Sequence, residues 1–354
     1  MIIGVSGYGA TGASAVLGVI EECKGIQSYN YGTEFQLFQQ PDGILDLYHY
    51  LVEDRRRLSI STAIARFKRD IRSNRGRGLQ KQTGNKLDLL SYNYIDELTQ
   101  ATWKGRSGYE AADQRHFLDT PFFRRINNVF QRTVSRLNPT FIWPPDSKRY
   151  YSSFLKEEFI SITQNYIKLV FEASGFDTSG IVLLEQLFPP TSPLSGMDFF
   201  EDARSIVVER DPRDLFVLTN HLMPHLSRFM PNRGDVNAFI AYYKGLHRSK
   251  VQDLRVRYVN YEEFVYNYDD ASNELLQWLK LKSEKPRTLF VPEQSINNTL
   301  LFRNYPEIEN DIRIIEKELD EFLFPFEKYE NTMKIKRDIH KAFVSKPGDT
   351  KLKI

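Results

Sequence analysis

Residues 1–22 read MIIGVSGYGATGASAVLGVIEE, and the fold turns on this stretch. Met1 to Val5 is an apolar run of the length of one buried strand, and it ends in Ser6-Gly7-Tyr8-Gly9-Ala10-Thr11-Gly12. From Ala13 to Glu22, the apolar residues Ala15, Val16, Val19 and Ile20 recur at helical spacing, so the order is strand, glycine loop, helix. The loop fits two templates: G-x-G-x-x-G through Gly7, Gly9 and Gly12, and a Walker-like G-x-x-x-x-G-x-S through Gly7, Gly12 and Ser14. Both put glycine where backbone must approach a phosphate, with N–H groups turned inward and the positive end of a helix dipole behind them. Gly7, Tyr8, Gly9, Ala10, Thr11, Gly12, Ala13 and Ser14 are thus the candidate phosphate-binding residues, although Ala13 stands where a Walker loop carries lysine.

Outward from this loop the chain alternates. Tyr29 to Phe38 reads as a second strand, the turn Pro41-Asp42-Gly43 follows, and Leu45, Leu47, Leu51 and Val52 mark an amphipathic helix. Between Arg55 and Lys86 eleven basic residues face one acid, Asp70, on a pattern that stays helical to about residue 167. Strand-like runs return at Ile181–Leu184, Ser205–Glu209 and Leu254–Val259, each followed by a helical pattern, which predicts a parallel α/β sheet. The expected organisation is an α/β core begun by residues 1–50, a mainly helical basic insertion over 51–170, the rest of the core over 171–330 with a closing helix at Ile312–Leu323, and a Lys-rich tail over 331–354.

Composition narrows the class. At 354 residues the chain can bury a large core, and 41% hydrophobic with 27% charged residues is the balance of a folded globular protein. Net charge is only +2, and few aromatics interleave with the basic run, so a nucleic-acid partner is not expected. A single cysteine, Cys23, leaves no internal disulfide. No apolar run reaches the roughly 18 residues of a membrane span, and the N-terminus lacks the basic region of a signal sequence, which together place the protein in the cytoplasm. Oligomeric state is not legible.

A second motif follows the run Ser205-Ile-Val-Val-Glu209, namely Arg210-Asp211-Pro212-Arg213-Asp214. Carboxyl ends of parallel strands collect ligands, and an arginine there can chelate a phosphate through two parallel N–H donors. At this point the chain resembles the nucleotide-dependent sulfotransferases, in which a strand runs into Arg-x-Pro-Arg/Lys-Asp. Val182 to Pro189 is similar to that family's preceding strand, Arg257 to Phe264 to its strand-plus-Tyr-Glu segment, and Ser295 to Thr299 to a late nucleotide-contacting loop. The resemblance covers residues 1–22 and roughly 179–325. It implies a P-loop-like parallel sheet flanked by helices, with 3′-phosphoadenosine 5′-phosphosulfate as donor. Its phosphosulfate would lie on Gly7 to Ser14, its 3′-phosphate on Arg210, and Asn298 would sit in the late loop. The family's serine eight residues beyond the arginine falls on Leu218, with Thr219 beside it. The family's loop lysine is absent, and Arg55, Arg56 and Arg57 are candidates to supply that charge.

Sulfuryl transfer needs a base for the acceptor proton, and Glu34, Asp42 and His49 follow the expected second strand as candidates. The six histidines form no metal spacing, so no metal is expected. The basic run suits an anionic glycan or another small anionic acceptor. Two other readings compete: an NAD(P)-binding oxidoreductase or epimerase, with Glu34 lying 22 residues past Gly12 as a ribose-binding acid, and a non-catalytic nucleotide- or glycan-binding protein.

Overall fold

The structure is a computed structural model describing residues 1–29, 32–72, 77–105, 125–126, 129, 132–134, 147–223, 225, 230–231, 234–282 and 288–330. The expected tail over 331–354 lies outside these residues, as do Tyr31 of the expected second strand and Arg75 of the basic run. The chain forms two units, one of Met1–Gln39, Gly78–Gly84 and Phe171–Ile354, the other of Gln40–Arg77 and Asn85–Val170. Its strands are β1 (Ile2–Gly7), β2 (Ile26–Ser28), β3 (Ala101–Gly105), β4 (Ser147–Tyr151), β5 (Ile181–Glu185), β6 (Ala203–Glu209) and β7 (Val256–Asn260). The principal helices are α1 (Ala13–Glu21), α2 (Arg57–Arg72), α3 (Leu87–Glu97), α4 (Lys156–Ala173), α5 (Pro212–Val217), α6 (Val236–His247), α7 (Tyr261–Tyr266), α8 (Tyr268–Leu279) and α9 (Glu309–Glu318). None of the described helices is long and apolar enough to cross a membrane.

In the first unit β2, β5, β1, β6 and β7 lie side by side in that order, all parallel and flanked by helices, the α/β class expected. Pleating sends Ile3 and Val5 to one face, where they pack with α1, α7 and α8. Gly4 points to the other face, where the Phe188 ring lies 2.7 Å from the place a Cβ would take, so β1 needs glycine there. The register sets Val5 opposite Glu185 and Gly7 opposite Val208, which brings the ends of β5 and β6 to either side of the glycine loop. The chain passes from β1 out to β2, back to β5, then across β1 to β6 and β7. That reversal makes the end of β1 the switch point at which open α/β sheets form their ligand crevice.

None of the described residues of Tyr29–Phe38 lies in a strand, and the second strand is Ile26–Ser28, paired with Ile181–Leu183. The aromatic alternation after it has a different cause, since Phe35 and Phe38 are fully buried in a turning segment and the Phe35 amide donates to the Glu185 carbonyl at 2.8 Å. The closing helix also ends early: α9 stops at Glu318, and Asp320–Phe322 is a separate 3₁₀ turn. In the second unit α2 packs on α3 and on β4 of the antiparallel pair β3–β4, and Tyr94 of α3 stacks on Tyr166 of α4 at 4.3 Å.

Beyond β6 the chain turns through buried charge. Asp211 caps α5 by accepting the Arg213 amide at 2.9 Å, and Pro212 takes a first-turn position where no N–H is required. The Arg213 guanidinium grips Asp211 with bonds of 3.0 and 2.7 Å, reaches Glu316 of α9 at 3.0 Å and the Phe324 carbonyl at 3.1 Å, and lies over the rings of Phe302 and Phe326. Breaking a buried pair strands its partner's charge, so Arg213→Met is expected to lower stability by about 3–5 kcal/mol in denaturant unfolding. Arg257→Met, which removes the more exposed pair with Glu274, is expected to cost below about 1 kcal/mol. Equal effects of the two would contradict the role given to Arg213.

Candidate functional site

The loop is shaped by backbone that few side chains tolerate. Gly9 (φ 99°), Ala10 (φ 54°) and Gly12 (φ 93°) are all left-handed, and the alanine keeps that conformation despite its Cβ. At Gly7 a Cβ would lie 2.1 Å from the Thr11 hydroxyl oxygen, and at Gly12 2.4 Å from the Tyr261 ring, so both positions require glycine. Gly12 is the N-cap of α1, and no side chain caps the helix. Helical geometry leaves the first amides of α1 without partners inside the helix, and no acidic residue in its first turn offsets their positive end. Within the loop the Thr11 hydroxyl is buried and unpartnered. Uncommitted donors on a concave backbone are what a phosphate needs.

Arg210 meets this loop from the end of β6. Its Nη1 donates to the Ala10 carbonyl at 3.0 Å, its Nη2 donates to the Asn298 carbonyl, and the group lies 4.9 Å from the centre of the Tyr261 ring. Arg210 is 3% exposed, and its Nε is buried without a partner. Of the five guanidinium N–H donors, two are thus met by neutral carbonyls and none by a carboxylate. Asp214 secures the neighbouring turn, its two oxygens accepting the amides of Leu300 and Leu301 at 2.7 and 2.6 Å. Burial and the nearby Asp211 raise the Asp214 carboxyl above the usual carboxylate range, against Arg210 and these amides. Glu262 accepts the Asp211 amide at 3.0 Å, its second oxygen is unpartnered, and burial pushes it up to about 8 in spite of Arg210.

The other expected residues fall differently. Asn298 joins the loop through its backbone carbonyl. The Thr219 hydroxyl is fully buried and donates to the Phe216 carbonyl at 3.0 Å, so it is committed within its own turn. Glu34 is exposed, takes a hydrogen bond from Gln36 and contributes to the field at Glu185. Asp42 and His49 belong to the second unit: Asp42 sits at φ 63° between Arg66 (4.0 Å) and Arg69 (3.8 Å), and His49 pairs with Glu53 at 2.9 Å. Arg55 donates to the Val52 and Phe154 carbonyls, Arg56 pairs with Asp54, and Arg57 is exposed, all in that unit. Among the described residues no group of three or more His, Cys, Asp or Glu is placed to hold a metal ion.

Two further residues matter, Tyr261, which the sequence did not single out for the site, and Glu185, which it left even between an anchor and a site residue. Tyr261 lies against Gly12 and Arg210 and donates to the Ser295 carbonyl at 3.2 Å, tying the loop to the late turn. Glu185, at the end of β5, accepts the Ser14 hydroxyl at 2.7 Å. Both stand at carboxyl ends of parallel strands, the signal by which each is recognisable.

Because Glu262 and Asp214 are raised in the folded state, that state binds protons more tightly than the unfolded chain, and their contribution to stability is lost as pH rises. The Tm is expected to fall from about pH 5 to about pH 8, and Glu262→Gln, which keeps an acceptor for the Asp211 amide, is expected to flatten that slope. An unchanged slope in thermal melts of the variant would contradict the assignment.

No protein-family model matches this chain, and no curated protein and no solved structure matches it either.

Proposed function

We propose that this chain is a sulfotransferase that binds 3′-phosphoadenosine 5′-phosphosulfate at the Gly7–Ser14 loop and moves its sulfuryl group to a hydroxyl or amine, with an anionic glycan as the acceptor class. The observation that carries this reading is the pair of bonds from Arg210 to Ala10 and Asn298, residues 200 and 88 positions away, because one guanidinium joins the three segments that the resemblance marks as nucleotide contacts.

The reaction needs positive groups that hold the departing bisphosphate. Without a loop lysine, the amides opening α1 and the Thr11 hydroxyl carry that load at the phosphosulfate, and Arg210 serves the 3′-phosphate. Exchanging one of its carbonyl acceptors for a phosphate oxygen replaces a neutral hydrogen bond with a charge-assisted one, which is roughly twice as strong. The NAD(P) reading is weakened by the sheet order. A dinucleotide fold sets the second strand beside the first, where its acid meets the ribose, whereas here β5 separates β2 from β1.

Adenosine 3′,5′-bisphosphate is expected to raise the Tm, and NADP and ATP to raise it less. Stabilisation by NADP alone would overturn the reading. Arg210→Ala is expected to weaken bisphosphate binding by about 1.5–3 kcal/mol in calorimetric titration, the worth of a charged hydrogen-bonding contact. An unchanged affinity would contradict the role of Arg210. Binding without any transfer of labelled sulfate would favour a non-catalytic nucleotide-binding protein.

A further inference from the structure

Ser14 is the second residue of α1, and its hydroxyl donates to Glu185 Oε1 at 2.7 Å. Glu185 ends β5, the strand beside β1, and is half-buried, and the Ser14 bond holds its carboxylate at the loop. A carboxylate facing a phosphate cradle is unfavourable as a mere anchor, because it repels the ligand that the amides attract. It has a use if it takes a proton during the reaction.

We propose that Glu185 is the general base of the transfer, an assignment that rests on the sulfotransferase reading. The acceptor oxygen attacks sulfur, its proton passes to the Glu185 carboxylate, the sulfur–oxygen bond to the phosphate breaks, and the bisphosphate leaves with the electron pair. The proton then returns to solvent. The Ser14 bond orients the carboxylate and leaves Oε2 for the acceptor. Burial raises the Glu185 carboxyl above its ordinary value against the Ser14 bond, and Glu34 and Glu21 raise it further, which moves it toward the neutral range where a general base works best. Glu34 then acts as a positioning residue through its charge.

The test uses the full chain with 3′-phosphoadenosine 5′-phosphosulfate alone, water serving as acceptor, so no glycan need be known. Glu185→Gln retains an acceptor for Ser14 and is expected to bind the bisphosphate at least as tightly as the wild type while releasing it from the donor roughly 100-fold more slowly, the low end of what a general base contributes. Glu34→Gln is expected to keep most of the rate and to shift the acid limb of the rate profile to lower pH, which a purely structural residue would not do. Release by Glu185→Gln within threefold of wild type, or no release by wild type above background, would overturn the base while leaving nucleotide binding intact. Failure of the wild type to bind the bisphosphate would overturn the sulfotransferase reading itself and the base with it.

Discussion

The turn that leaves β6 carries four charged residues, Arg210, Asp211, Arg213 and Asp214, each 5% exposed or less. Charges removed from water must find partners, and the partners of these four are spread along the chain. Arg213 and Asp211 reach α9 and Phe324, Asp214 holds the amides of Leu300 and Leu301, and Arg210 reaches Ala10 and the Asn298 carbonyl. Pairing these charges therefore fixes the late turns against the sheet and the sheet against the glycine loop. Glu262 completes the turn by accepting the Asp211 amide from the start of α7.

Much of the sheet was legible because strands buried on both faces read as apolar runs with polar ends, as β5 and β6 do, whereas β7 is mostly half-buried and was marked by its β-branched residues Val256 and Val259. β2 escaped because it is three residues long and half-buried, while the aromatic segment after it carried a stronger but misleading pattern. Phe35 and Phe38 alternate with polar residues since a turning segment seats them in the core, and that pattern cannot be told from a half-buried strand by periodicity.

The site was legible in residue type and not in pairing. Glycines at positions 7, 9 and 12 and an arginine past a strand are the residue types that suggested an anion site, and the loop has left-handed backbone at Gly9 and Gly12. The bond of Ser14 to Glu185 spans 171 residues and follows only from the placement of β5 beside β1, which spacing along the chain does not encode. Asn298 was expected in a late nucleotide-contacting loop and meets Arg210 through its carbonyl, a group every residue has. Asp42 is an ion-paired turn residue, and the chemistry that a carboxylate after a strand suggests says nothing of which unit will contain it.

The most direct test of nucleotide binding at the Gly7–Ser14 loop is a crystal structure with adenosine 3′,5′-bisphosphate bound. The 5′-phosphate is expected within hydrogen-bonding distance of the amides that open α1, and the 3′-phosphate in contact with the Arg210 guanidinium. A bisphosphate ordered elsewhere, with Arg210 still donating to Ala10 and Asn298 and the loop empty, would contradict it.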